Sequence, residues 1–186
     1  ISGGWGHIAG GDGMECEIDP LNENILYYSD NQHDVNSGNN GVFSRSNNGG
    51  LGPWVNVKPS SHPYPADLHK PILIDPIHPN NVFVGYDQIF KSPNYGDPVS
   101  YSAISSFVPG DNIQSMAISK SNPHVMYACF THATWPPAGF NEAYRIHRAY
   151  KTIDDGSNWA DITHTLIGVD YSNATSIEID PFNHEI

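Results

Sequence analysis

The sequence has few basic residues, few cysteines and no long apolar run. Lys and Arg total 8 against 20 Asp and Glu, which gives a net charge of −12. Nucleic acids and anionic membrane surfaces are bound by basic faces, so this charge argues against both as partners. No stretch approaches the roughly 20 apolar residues of a membrane-spanning helix, so we expect no membrane insertion. Cys16 and Cys129 form no CxxC pair, which argues against a zinc knuckle or a thioredoxin-type centre, and we expect two separate buried thiols.

Turn-forming residues are abundant. The 186 residues include 17 Gly and 15 Pro, whereas charged residues make up only 15%. This composition argues against a helical bundle and against an acidic disordered chain. The length fits one domain that is long enough to bury a core.

One pattern occurs four times along the chain. Each copy has apolar residues in alternation, then a turn rich in Asp, Pro and Asn, then a second apolar stretch. Alternation with a period of two predicts strands, and the turn residues predict a hairpin between them. The copies are residues 18–27, 74–83, 118–127 and 179–186.

A second pattern, S/T-x-D-x-G-x-x-W, lies between copies of the first. The best match is Thr152, Asp154, Gly156 and Trp159; the others are Ser92, Asn94 and Gly96, with Val99 in place of Trp, and Ser46, Asn48, Gly50 and Trp54, with one extra residue before the Trp. The hydroxyl and carbonyl oxygens can accept turn hydrogen bonds, and the glycine allows a backbone angle that other residues resist. A catalytic mechanism rarely uses the same residue in every repeat. We therefore interpret the residues of this second pattern as structural.

Together the two patterns resemble the Asp-box (BNR) repeats of β-propellers, including the sortilin-like and glycoside-hydrolase branches. The resemblance covers nearly the whole chain and implies an all-β fold, a β-propeller of four-stranded antiparallel blades. The blades would be residues 14–58, 70–105 and 113–163, with the end of a preceding blade at 1–13 and the start of the next at 174–186. A ring closes with about four to eight blades. We therefore expect a partial ring, completed by the rest of a larger chain or by other copies.

Alternating strand direction assigns the loops to two faces. Turns of the two repeated patterns share one face, and loops of variable length share the other, which we call the variable-loop face. Function commonly resides on variable loops held by a rigid scaffold. The candidate ligand residues there are Asp12, Glu15, His33, Asp34, Asp67, His69, Asp111, Trp135 and Asp170.

The acids on the variable-loop face have two interpretations. They could converge near the central channel to hold a cation or polar ligand or to form a carboxylate pair for glycoside hydrolysis, or each could stabilise its own turn. Asp12 and Asp67 are the candidates for such a pair, but no catalytic residue is assigned. Trp135 would stack on a sugar ring or a partner, or anchor its own loop.

From the sequence we expect no cofactor. Residues 30–41 are rich in oxygen donors and could hold calcium, but they lack the order of an EF-hand loop and its terminal Glu. The histidines are scattered without paired spacing, so no metal ligand is assigned.

The resemblance leaves several function classes to compare. Sialidases of this fold hold their substrate with an arginine cluster, whereas Arg45, Arg145 and Arg148 all lie on predicted third strands. Photosystem-associated assembly factors use a basic patch, which the net charge contradicts. The xyloglucanase-like branch uses loop aspartates and has a T-D-x-G-G stretch. Residues 46–50 are the nearest match here, with Asn47 in place of the Asp.

The interpretation we favour from the sequence is a secreted or cell-surface propeller. It would bind a glycan or protein ligand on the variable-loop face or serve as a structural module. The alternative is a glycoside hydrolase of the xyloglucanase-like propeller type that uses loop aspartates. Whether the protein is an enzyme is left open by these residues.

Overall fold

A computed structural model describes residues 13–34, 39–60, 70–107, 111–132, 148–166 and 176–180. These residues form three four-stranded antiparallel sheets and one helical turn, α1 (Thr163–Leu166). The strands are β1 (Gly13–Ile18), β2 (Leu26–Asp34), β3 (Asn39–Ser46), β4 (Trp54–Asn56), β5 (Ile72–Ile74), β6 (Val82–Gly85), β7 (Ile89–Ser92), β8 (Ser102–Ala103), β9 (Asp111–Ile118), β10 (Met126–His132), β11 (Arg148–Thr152) and β12 (Ala160–Asp161).

Each sheet is a simple meander in which consecutive strands pair. The orders are β1-β2-β3-β4, β5-β6-β7-β8 and β9-β10-β11-β12, and we call these sheets blades 1, 2 and 3. Leu26 pairs with Ile18 in blade 1, and Met126 pairs with Ile118 in blade 3. Both pairs flank a turn of the first repeated pattern. The all-β class and the four-stranded antiparallel sheets agree with the expectation from the sequence.

Two apolar clusters hold the blades together. The first joins Tyr27 and Phe43 of blade 1 to Val82 and Val84 of blade 2. The second joins blade 2 to blade 3, with Phe130 fully buried within it. Burying one such side chain stabilises the fold by roughly 1.5–3 kcal/mol. The core therefore lies between the sheets, and each blade depends on its neighbour.

The outer face of blade 1 has no described blade against it. Ile18 is 51% exposed there, whereas Ile74, at the same position of the repeat in blade 2, is 7% exposed. Cys16 lies on the same side as Ile18 and is exposed, so the expectation that both thiols are buried is wrong for Cys16. Cys129 is buried, and both cysteines are free thiols.

The outermost strands are shorter than expected. The predicted blade 70–105 places the end of its fourth strand at residue 105, but β8 spans only Ser102–Ala103. A turn lies before β8, where Ser100 N donates to Asp97 O at 3.0 Å. In blade 3, Thr163 N donates to Asp161 Oδ1 at 2.9 Å and begins α1, which ends β12 early.

The proposed blade boundaries at the chain ends stay predictions. Residues 1–12 lie outside the described residues, and only 176–180 of the last repeat are described. Within that stretch, Ile177 N donates to Ser115 Oγ of blade 3 at 3.3 Å. Among the residues that the structure describes, no helix is long and apolar enough to cross a membrane.

Candidate functional site

Turns of the two repeated patterns are hydrogen-bonded to each other in every blade. Gly49 N donates to Asn24 O at 2.9 Å, Tyr95 N to Asn80 O at 2.8 Å, and Asp155 N to His124 O at 3.3 Å. Both kinds of turn therefore lie on one face of the sheets, which we call the turn face. The variable loops leave from the opposite ends of the strands.

The second pattern forms the same turn three times. In blade 3 the hydroxyl of Thr152 accepts hydrogen bonds from Asp154 N at 3.3 Å and Gly156 N at 3.0 Å. Ser46 and Ser92 accept the equivalent bonds in blades 1 and 2. Leaving one such buried donor unsatisfied would cost about 1–3 kcal/mol. These contacts give the residues of the pattern a structural role.

Trp159, the last residue of the third turn, joins two blades. Its indole Nε1 donates to Ile104 O of blade 2 at 2.9 Å. Trp54, at the matching position in blade 1, instead lies edge-on to Tyr28 of its own blade, with ring centroids 4.8 Å apart. The same motif residue therefore makes a contact between blades in one case and a contact within a blade in the other.

The candidate ligand residues from the sequence are only partly described. Glu15 is half-buried on β1, opposite Ser29. For three others the backbone position alone is described: His33 and Asp34 lie on β2, opposite Asn40 and Asn39, and Asp111 lies on β9, opposite His132. Asp12, Asp67, His69, Trp135 and Asp170 lie outside the described residues. Their convergence near the channel stays a prediction.

Buried ionisable residues lie at the junction of blades 1 and 2, toward the variable-loop face. Asp30 and Lys70 are each 2% exposed. Asp30 Oδ1 accepts a hydrogen bond from Val42 N at 3.2 Å, and Ser29 Oγ donates to Lys70 O at 3.3 Å. Burial, aided by Lys58 and opposed by Asp30, lowers the pKa of Lys70 to about 8. A lysine with a lowered pKa is typical of binding and catalytic sites.

Sequence reasoning missed this pair. The sequence patterns include Asp30 only as the first residue of the possible calcium loop, and they do not include Lys70. The available signal is a lysine directly before the apolar run of residues 71–74. Burying a charged side chain costs free energy unless the charge is paired or hydrogen-bonded, so a charge at such a position indicates a specific role.

A cavity of about 630 Å³ lies along the inner strands, and we call it the inner groove. Its walls are mostly apolar, with Leu73 and Ile118 among them, and its charged residues are Glu17, Lys120 and Glu178. Burial, and then the charge of Glu15, raise the pKa of Glu17 to about 7, while Lys120 opposes the shift. The inner groove therefore holds a carboxyl group that titrates near neutral pH.

No metal centre emerges from the described residues. Within the described ranges, no group of three or more His, Cys, Asp or Glu side chains could hold a metal ion. The possible calcium loop includes residues 35–38, which lie outside those ranges. Calcium binding there stays a prediction.

Comparison with known proteins gives a structural likeness but no sequence family. No family model matches the chain, and no curated protein matches it. An ancestral GH74 enzyme of solved structure is 21% identical, covers 91% of this chain and aligns with a TM-score of 0.64. The GH74 xyloglucanase from Xanthomonas campestris is 15% identical, also covers 91% of this chain and aligns with a TM-score of 0.55. An oligogalacturonate lyase from Vibrio parahaemolyticus is 11% identical over 83% of this chain, with a TM-score of 0.50.

The fold is a β-propeller. The predicted class, a partial ring of four-stranded antiparallel blades, is confirmed by these likenesses together with the three sheets. The chain matches 22% and 25% of the length of the two GH74 enzymes and 42% of the lyase. At these identities the likeness establishes the fold alone.

Proposed function

We propose that this chain is part of an Asp-box propeller that acts on a polysaccharide as a glycoside hydrolase of the xyloglucanase type. The observation that carries the proposal is the likeness to two GH74 enzymes over 91% of the chain. The three matching turns, each built on a Ser or Thr hydroxyl, support the Asp-box relationship. The sortilin-like branch shares these turns and is the other relationship that they fit.

Glycoside hydrolysis needs two carboxyl groups, one to protonate the leaving oxygen and one to act as base or nucleophile. In sequence, Asp12 directly precedes β1, and Asp67 precedes Lys70 and β5. β1 and β5 are the first strands of neighbouring blades. Asp30 adds a buried carboxylate at the junction of these two blades. The proposal assigns Asp12 and Asp67 to the catalytic pair.

The test is cleavage of xyloglucan and other neutral β-glucans by the full-length protein, followed as release of reducing ends. Asp12→Asn and Asp67→Asn should each lower the rate by about 10²-fold or more, because each removes a proton-transfer group. Glu23→Gln is the matched control, since Glu23 is an exposed acid on the turn face. Unchanged cleavage by both Asn variants would remove the catalytic assignment. Absence of cleavage by the wild type on every glucan would overturn the hydrolase proposal.

Binding without cleavage is the second candidate. The structural neighbours include a xyloglucanase and a lyase, so the fold accommodates more than one chemistry on carbohydrate. A propeller that captures a glycan or protein ligand on its variable-loop face fits the same observation. Deleting residues 133–141, which follow β10, should then weaken ligand capture and leave the paired strands of the blades intact. Unaltered capture would count against that loop.

Secretion or display at the cell surface belongs to both candidates, because structural polysaccharides lie outside cells. The remaining blades would come from the same longer chain or from other copies. Intact mass and mass in solution distinguish these two arrangements. A chain near 20.4 kDa that assembles would support other copies, and a heavier single chain would support the first.

A further inference from the structure

A second cavity lies between blades 2 and 3, and we call it the junction groove. One wall is residues 103–107 at the end of blade 2, the other is residues 155–159 of blade 3, and Tyr150 lies between them. Its volume is about 550 Å³, within the usual range for small-ligand sites. The lining residues come from blades 2 and 3 and the segment that follows β8.

Aromatic side chains form the interior of the junction groove. The ring of Phe107 lies 4.7 Å from that of Tyr150 and 5.3 Å from that of Trp159, centroid to centroid. Tyr150 and Trp159 are half-buried, and the bond from Trp159 Nε1 to Ile104 O fixes the indole. A rigid aromatic surface loses little conformational entropy when a ligand covers it.

The rim of the junction groove is polar but carries little net charge. Ser106 and Ser157 are exposed on opposite walls. Asp155 is the one acid among the lining residues, and its Oδ2 lies 2.7 Å from His124 Nδ1. The chain as a whole carries a charge of −12, which repels anionic ligands.

The junction between blades 1 and 2 is bridged differently. There the segment after β4 crosses to the turn of the next blade, and Ser60 N and Ser60 Oγ each donate to Pro98 O at 2.9 Å. Val57 in that segment is 1% exposed. At the matching place between blades 2 and 3, the Trp159 indole donates to Ile104 O, and the groove lies beside it. In the turn of blade 2 the position of Trp159 is Val99, so the junction between blades 1 and 2 has no matching indole.

We infer that the junction groove binds a neutral saccharide, as an anchoring site distinct from the inner groove. A pyranose ring has an apolar face of C–H groups and an edge of hydroxyls, which match an aromatic interior with serine hydroxyls at the rim. Residues 155–158 belong to the turn face, whereas Ser106 and Phe107 follow β8 on the way to β9, so the groove runs along the blade junction from one face toward the other. The choice of ligand class rests on the proposed function, whereas the site itself rests on the groove.

The test places a large side chain in the groove. Ser157→Arg puts a guanidinium over the aromatic surface, where it can stack and exclude a sugar ring. Leu51→Arg is the matched control, because Leu51 also follows the pattern glycine of its turn, in blade 1, and is 83% exposed. Ser106→Arg tests the opposite wall. Affinity electrophoresis of the full-length proteins in gels with xyloglucan or polygalacturonate measures binding to a neutral and an acidic glycan.

We expect the wild type and Leu51→Arg to be retarded by xyloglucan and not by polygalacturonate. Ser157→Arg and Ser106→Arg should bind xyloglucan roughly tenfold more weakly, as expected when a stacking contact is lost. Unchanged retardation of both variants, or equal retardation by the two polysaccharides, would overturn the inference. Circular dichroism confirms that each variant is folded.

The outcomes for the two proposals can be told apart. A protein that cleaves xyloglucan but whose retardation is insensitive to Ser157→Arg keeps the proposed function and loses the anchoring site. A protein that cleaves nothing, yet loses retardation on Ser157→Arg, keeps the anchoring site and loses the hydrolase assignment.

Discussion

Single ionisable side chains are perturbed where the blades meet. Burial is the largest cause for both Glu17 and Lys70, and it acts in opposite directions because it favours the neutral form of each. The pKa of Glu17 therefore rises to about 7, and that of Lys70 falls to about 8. The two residues lie toward opposite ends of the blade 1–2 junction. Each end therefore has a side chain whose pKa is close to neutral pH.

Glu17 makes the folded protein less stable as the pH rises toward neutral. Its pKa is about 7 in the folded protein against 4.5 without the fold, so between these values the folded state holds the proton more tightly. The stability that this adds is complete below the lower value and is lost as the pH rises through about 7. Glu17→Gln, measured by urea unfolding from about pH 5 to about pH 8, should flatten this decline.

The exposed acid Glu23 supplies the control for that measurement. Glu23→Gln makes the same substitution at an exposed turn residue that does not line the inner groove, and so controls for the loss of one carboxylate. Glu15 and Lys120, whose charges act on Glu17, are present in both variants. Parallel profiles for wild type and Glu17→Gln would contradict the assignment to Glu17.

At the scale of elements, the three turns of the second pattern share one backbone conformation despite different sequences. The fourth position has φ of 58° at Gly49, 50° at Tyr95 and 59° at Asp155. The fifth position is a glycine with φ of 77–83° in all three. Only the fifth position is glycine in all three turns. In blade 3 two features require it at Gly156: the positive φ and the close approach of Ile104. A Cβ on Gly156 would lie 2.8 Å from Ile104 O of blade 2.

Two alanine substitutions separate these causes. Gly49→Ala places a side chain at φ +58° but in open space, with Asn24 Oδ1 3.7 Å from the new Cβ. It should lower the free energy of unfolding by about 1 kcal/mol through backbone strain. Gly156→Ala adds the clash with Ile104 and should cost a further 1–3 kcal/mol or so. Urea unfolding measures both, and equal losses would show that the contact between blades is not limiting.

At the scale of the whole molecule, stability depends on sheets packing face to face. Both apolar clusters lie between blades, and the outer face of blade 1 leaves Ile18 and Cys16 exposed. A further blade packed on that face would cover both residues. Accessibility of Cys16 therefore reports on whether the ring continues on that side.

The two thiols should react at very different rates. In the chain of 186 residues, Cys16 should be modified quickly by a soluble disulfide reagent because it is exposed. Cys129 should react only on unfolding, because it is 1% exposed and burial raises its pKa to about 11. Cys16→Ser should abolish the fast phase. Fast modification of Cys129 would contradict the packing of blade 3, and loss of the Cys16 phase in a longer protein would indicate a covering blade.

Local patterns accounted for most of the strands. Alternating residues such as Ile72 and Ile74 indicated inner strands, and the Asp and Pro turns marked the hairpins after them. The outer strands were less predictable: β8 is shorter than expected because the backbone before it hydrogen-bonds as a turn. Edge strands have one neighbour only, so local turn bonds compete successfully with the sheet there.

The candidate site was less accessible to sequence reasoning than the fold. The expected ligand acids were chosen by their place in variable loops, and Glu15 is the one whose side chain the structure describes. Glu17, Lys70 and the junction groove were missed because none of them is a motif. Each is created by residues from two or more strands that are distant along the chain.

By itself the sequence determined the repeating hairpins, the turn chemistry and hence the propeller fold, because these depend on side chains within a few residues of one another. Tertiary structure alone decided which charges are buried, which thiol is exposed and where the junction groove lies. Those properties depend on what the neighbouring blade places against a residue. The turn around Gly156 shows both levels, since its φ follows from the local motif and its contact with Ile104 from the packing of two blades.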